Sequence, residues 1–207
     1  MKTMVRIGNA QGFWGDSVDA PLNMVNGGPL DYLTLDYLAE VTMSIMQRQR
    51  QRDPGAGYAR DFPEMLRQVL PVALEKGVRI VTNAAGVNTE ACLQACRKVI
   101  GELGLSGIKI GIVSGDDLMG RLDEVLSSGA ALAHMENGAH LDTVRDRVLS
   151  ANVYLDSFSM ARALDEGADI VLTGRTTDPG LTLAAAYGLF ILVLIFRPQG
   201  LFGRRSG

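Results

Sequence analysis

Five short apolar runs in this chain each break off into a polar segment, most of them glycine-bearing. Met4–Ile7 leads into Gly8–Asp16, and Val78–Val81 into Thr82–Gly86. Ile108–Val113 leads into Ser114–Asp117, Val153–Leu155 into Asp156 and Ser157, and Ile170–Leu172 into Thr173–Gly180. Helical patterns separate the runs. Asp31–Arg50 carries Leu35, Leu38, Ala39, Thr42, Ile45 and Met46 at the spacing of one helix face. Asp61–Lys76 has Asp61 as a capping residue, Pro63 in its first turn and Gly77 behind it. A helix capped by Asn88 or Thr89 runs to Leu103, and others cover Asp117–Ser128, Leu141–Leu149 and Ser157–Glu166. Ala130–Met135 is a further short apolar run, a candidate strand.

Alternating strands and helices predict a three-layer, Rossmann-like α/β domain with a mainly parallel sheet. Such a sheet gathers the carboxyl ends of its strands on one edge, and ligands of open α/β sheets bind in the crevice outside those ends. The polar segments therefore define one candidate site.

Composition narrows the class without naming a reaction. The chain has 207 residues, 47% hydrophobic and 21% charged, which suits one globular domain. A net charge of −3 and the lack of a basic face argue against nucleic acid as a partner. Cys92 and Cys96 lie one helical turn apart and read as two small buried residues in a reducing compartment. The opening residues hold no secretory signal, so a cytoplasmic location is expected.

The chemistry on the polar segments is diffuse. No P-loop, nucleophile elbow or dinucleotide fingerprint is present, and Gly8, Gly12 and Gly15 have the wrong spacing for the last. Those glycines allow either an anion held on backbone N–H groups or a plain tight turn. Arg175 follows a predicted strand directly and suits two-point binding of a carboxylate or phosphate; a loop salt bridge to Asp178 is the competing reading. Asp16, with Arg175, is the candidate catalytic residue, acting as a general base if partly buried. Asn9, Gly12, Asn83, Ser114, Arg175 and Asp178 are the candidate substrate contacts. Asp116 and Asp117 suit either an oxygen-bound divalent cation or the cap of the next helix. His134, Glu136 and His140 are spaced H-x-E-x3-H, but on a segment that reads as strand and loop, so no metal site is expected. No cofactor is specified.

Several segments together carry a resemblance. They are Ile7–Asp16 (IGNAQGFWGD), Asp36–Met43 (DYLAEVTM), Gly57–Phe62 (GYARDF), Ile80–Ala84 (IVTNA) and Gly167–Arg175 (GADIVLTGR). As a set they resemble the N-terminal domain of the acyclic terpene utilisation family over residues 1–183. The resemblance implies a role in breaking down acyclic terpenes of the citronellol and geraniol type through acyl-CoA intermediates. The family pattern reads Asn-Ala-Gly-Gly-Val-Asn-Pro where this chain has Asn83-Ala84-Ala85-Gly86-Val87-Asn88-Thr89, and Tyr-Leu-Gly-Ala where it has Tyr154-Leu155-Asp156-Ser157. Members also continue well beyond the Gly-Arg-x-x-Asp-Pro segment.

The end of the chain reads differently. Tyr187–Gly203, with its unbroken apolar run Leu189–Phe196, is similar to the last membrane helix and cytoplasmic tail of branched-chain amino acid transporter permeases. The run is short against the ~20 residues of an independent span. A truncated domain at 1–183 joined to a permease-like tail at 184–207 is expected, through a chimeric or frameshifted junction. Membrane association is expected only through residues 187–203. The expected partners are a small carboxylate or acyl-CoA and a second copy of the chain. Three functions stay open: an enzyme acting on a terpenoid acid or its CoA thioester, a non-catalytic binding or assembly protein of that pathway, and an inactive truncated product.

Overall fold

A computed structural model describes residues 4–187. Its elements run β1 (Ile7–Gln11), α1 (Ala20–Gly27), β2 (Tyr32–Leu35), α2 (Glu40–Arg52), α3 (Asp61–Lys76), β3 (Arg79–Thr82), α4 (Thr89–Glu102), β4 (Ile110–Val113), α5 (Leu122–Ser127), α6 (Ser157–Asp165) and β5 (Ile170–Thr173). Residues 180–187 are again helical. The five strands form one sheet in the order β1-β2-β3-β5-β4, and each neighbouring pair is parallel. The α/β class with a parallel sheet read from the sequence is the observed one.

The side-chain period of two divides the core between the two faces. On one face Leu33, Leu35, Ile80, Ile170 and Leu172 pack with the buried sides of α1, α3 and α4. On the other, Val81, Val113 and Val171 pack with Met160 and Leu164 of α6 and with Leu181 and Ala184 of the last helical segment. Helices thus cover both faces, which is why the inner strands are apolar on both sides.

Helix α3 illustrates the local logic. Phe62, Leu66, Val69, Leu70 and Ala73 recur at three- and four-residue spacing and are all buried. Each large apolar side chain of that stripe contributes about 1.5–3 kcal/mol by leaving water. Gly77 ends the helix at φ 67°, donating its N–H to the Ala73 and Leu74 carbonyls. Leu66→Ala would cost about 2–5 kcal/mol.

The structure departs from the sequence expectations in several places. Strand β1 is Ile7–Gln11, not Met4–Ile7. Gly8 and Ala10 face the α1 side and are buried, while Asn9 between them is exposed. A Cβ on Gly8 would meet Met24 Sδ at 2.4 Å, so the glycine lets α1 lie against the strand. The expected helix over Asp31–Arg50 splits into strand β2, a loop and α2, because Tyr32–Leu35 finds partners on both sides, in β1 and β3. Asp61 does not cap α3; Arg60 holds that position, and the Asp61 carboxylate accepts from the Trp14 indole at 2.9 Å. Val153–Leu155 forms only isolated bridges nearby, Asn152 with Asp117 and Leu155 with Thr176. Ala130–Met135 holds a single bridge, Ala133 with His140, and Leu141–Leu149 contains two short 3-10 turns in place of a helix. These stretches are largely exposed, so no core holds them in a regular element. Of the tail expected at 184–207, residues 184–187 belong to the last helical segment and the rest lies outside the described residues; among those described, no helix is long and apolar enough to cross a membrane.

Candidate functional site

The connections leaving β3 and β5 go to opposite faces. Helix α4 follows β3 and packs with the first core; the segment 180–187 follows β5 and packs with the second. Adjacent parallel strands whose chains part in this way open a crevice between their carboxyl ends. Three loops border it: Asn83–Asn88 after β3, Ser114–Asp117 after β4, and Gly174–Pro179 after β5.

Arg175 is the buried cation of this rim. Its side chain is 5% exposed, yet its acidic partners stand in solvent. Nη2 donates to Glu40 Oε1 at 3.1 Å, and Nη1 lies 2.9 Å from Asp178 Oδ1, with those side chains 69% and 79% exposed. Nη1 also donates to the Thr176 carbonyl at 2.7 Å, and the guanidinium carbon lies 4.4 Å from the centre of the Tyr154 ring. Nε is buried and finds no hydrogen-bond partner among the described residues. Burial opposes the charge on Arg175, but the hydrogen bonds to Glu40 and Asp178 more than offset it and raise its pKa. Glu40 opens α2 and moves the other way. The Tyr154 hydroxyl, then its own backbone N–H and Arg175, hold its carboxyl down to about 2.

Asp116 fixes the backbone that presents Arg175. It is 5% exposed, and its Oδ2 accepts from the Arg175 N–H at 3.0 Å and from Asn152 Nδ2 at 3.2 Å. Burial pushes its pKa up, partly countered by those donors. Gly174 gives it room: a Cβ there would come within 2.4 Å of Asp116 Oδ2. Leu155 completes the clamp, its N–H donating to the Arg175 carbonyl at 2.9 Å.

Beside this network lies a cavity of about 210 Å³, between Gly86–Glu90 and Ser114–Asp117, with Arg50 at its side. Arg50 Nη1 donates to the Val87 carbonyl and lies 3.7 Å from Asp117 Oδ2. Asn88 caps α4, accepting from the Ala91 N–H at 3.3 Å. Gly86, at φ 57°, turns the loop back; a Cβ there would lie 2.6 Å from the Gly57 carbonyl.

The predicted site residues fall into two groups. Arg175 and Asp178 meet directly, and Ser114 is an exposed wall of the neighbouring cavity. Asn83 sits at the same rim but is fully buried and turned toward β2: its Oδ1 accepts from the Tyr37 N–H at 2.7 Å and its Nδ2 donates to Asp36 Oδ1 at 2.6 Å. It ties two loops together. Asp16 and Gly12 follow β1, three strands from β5, or about 14 Å along the rim. Asp16 accepts from the Gly12 and Ser17 N–H groups at 3.1 and 2.7 Å, closing its own turn. Asn9 lies inside β1, paired in register with Thr34, and stands apart from the crevice. His134 and His140 accept backbone N–H groups of their own turns through Nδ1, from Glu136 and Asp142. Among the described residues no group of three or more His, Cys, Asp or Glu is placed to hold a metal ion. Cys92 and Cys96 are free and buried; their mutual contact, then burial, pushes the Cys92 thiol up.

Glu40, Tyr154 and Arg50 went unselected in the sequence. Glu40 does lie within the Asp36–Met43 stretch that carried the family resemblance, and Tyr154 opens one of the segments compared with it.

Comparison with protein families matches this chain to the acyclic terpene utilisation family protein AtuA over residues 5–190. The chain belongs to that family. Comparison with curated proteins and with solved structures returns no match. Two of the positions read from the sequence as differing from the family pattern have clear local surroundings. Asp156 caps α6, accepting from the Ser159 N–H at 2.9 Å. Ala85 is fully buried in the larger core.

Proposed function

We propose that this AtuA-family chain serves acyclic terpene breakdown by binding a small acidic intermediate, a terpenoid acid or its CoA thioester, at the rim between β3 and β5. One observation carries this reading: Arg175 is buried, while the carboxylates that neutralise it are exposed. A ligand carboxylate can take the place of Glu40 or Asp178, because both side chains can turn into water when displaced. Both displaced carboxylates are themselves largely exposed, so they are readily rehydrated on release. The incoming group gains a guanidinium already desolvated and oriented by Asp116 and Tyr154.

Binding of citronellate and of citronellyl-CoA, measured by isothermal titration calorimetry, tests the proposal. Arg175→Ala should weaken binding at least tenfold while circular dichroism stays native. Arg175→Lys should weaken it less, since it keeps charge but loses the fork. Unchanged affinity in a folded Arg175→Ala protein would refute the proposal.

A non-catalytic binding or assembly role is the second reading, and a specific observation favours it. The Asp16 and Asp116 carboxylates are both engaged with backbone N–H groups, of Gly12 and Ser17 and of Arg175, so each holds a loop in place. An enzyme with Asp16 as its base would lose turnover in Asp16→Asn with binding retained; a binding protein would have no turnover to lose.

A further inference from the structure

We infer that the rim takes the free carboxylic acid in preference to its CoA thioester. The inference rests on the proposed binding role and narrows its ligand. A carboxylate presents two charged oxygens, which match the guanidinium fork of Arg175 and can replace the Glu40 carboxylate on equal terms. A thioester carbonyl is neutral and accepts weakly, so it has no means of displacing either acid.

The surroundings act in the same direction. The cavity next to Arg175 carries Glu90, Asp116 and Asp117 against Arg50, and Arg50 already faces Asp117 and the Val87 carbonyl. The phosphates of CoA carry several negative charges and would meet these acids at short range. Like charges brought together across an interface disfavour binding. A hydrocarbon chain fares better. Val41 follows Glu40 in α2 and is 72% exposed; Ile45, one turn on, is 44% exposed. Tyr154, which donates its hydroxyl to Glu40, is 49% exposed, and Val153 beside it 44%. An acid anchored at Arg175 beside Glu40 and Tyr154 has these exposed apolar side chains to meet its hydrocarbon chain.

The test is calorimetry on the full 207-residue chain with three ligands: citronellate, citronellyl-CoA and free CoA. The acid should bind at least tenfold tighter than the thioester, and free CoA should show no heat. Glu40→Gln, a change at an exposed position, should tighten the acid severalfold by removing its internal competitor. Val41→Asp should weaken the acid. Thioester affinity equal to or above that of the acid, or heat from CoA alone, would overturn the inference and leave the binding role standing. Silence from all three ligands would overturn the binding role and this inference with it.

Discussion

The carboxylate of Asp116 occupies the space that a side chain on Gly174 would fill. An ideal Cβ at 174 would lie 2.4 Å from Oδ2, and Oδ2 receives the N–H of Arg175 at 3.0 Å. Placement of the rim's buried cation therefore depends on a missing methyl group one residue earlier. Gly174→Ala should force the Asp116 carboxylate out and destabilise the fold by about 1–3 kcal/mol, as overpacking does. Urea unfolding monitored by circular dichroism reads the loss, and an unchanged midpoint would show that the close approach is not needed.

Asp116 also makes stability depend on pH. Burial raises its pKa in the folded chain above the ordinary 3.8. Between those two values the folded state holds more protons than the unfolded state, so stability falls as pH rises. The favourable contribution is complete below the unfolded value and lost as pH climbs through the folded one. Asp116→Asn removes this titration. The stability of the wild type relative to Asp116→Asn should therefore decline with rising pH across that window, and a flat difference would contradict the assignment.

Glu40 titrates in the opposite sense. Its carboxyl is held at about 2, below the ordinary 4.5, first by the Tyr154 hydroxyl. Whatever stability it lends is present above the ordinary value and lost as pH falls toward the folded one. Solvent exposure keeps the energy small. Tyr154→Phe should move the Glu40 pKa back toward 4.5, read by NMR titration of its side-chain carbons. No movement would mean that the phenol does not hold the carboxylate.

Asp156 tests a departure from the family pattern. As the cap of α6 it satisfies the Ser159 N–H. Asp156→Ala should cost about 1 kcal/mol. Asp156→Asn should cost much less, since an amide oxygen caps nearly as well. Equal losses in the two variants would point to charge instead of the cap.

Much of this fold was written in apolar spacing. The span of α3 is Asp61–Lys76 as expected, and Arg175 does stand just past the end of an inner strand. Strand β2 was hidden because Tyr32–Leu35 is only four residues long and runs into α2 after a brief loop. Leu35 and Leu38 then fall into step with the helix pattern that follows, and only pairing to β1 and β3 reveals the strand. Strand β1 was misplaced because Asn9 and Gln11 are polar; an edge strand tolerates a solvent-facing residue such as Asn9. At the site, Arg175 with Asp178 was legible from three residues of separation. Its pairing with Glu40, on a helix far earlier in the chain, required the folded sheet. Asp16 and Asn83 were singled out as polar residues after strands; that both also tie loops together could be seen only in the fold.

The position of β5 has a consequence for synthesis. It is the last of the five strands to leave the ribosome, yet it lies between β3 and β4, pairing Ile80 with Ile170 and Ile110 with Ile170. Until it emerges, β1, β2 and β3 can pair with one another, but β3 keeps an open edge and β4 has no strand to pair with. Contacts of such long sequence separation form slowly, and unpaired strand edges invite association with other chains. The edges of β3 and β4 thus stay open until residue 170 is made, and a chain ended before it would keep them open.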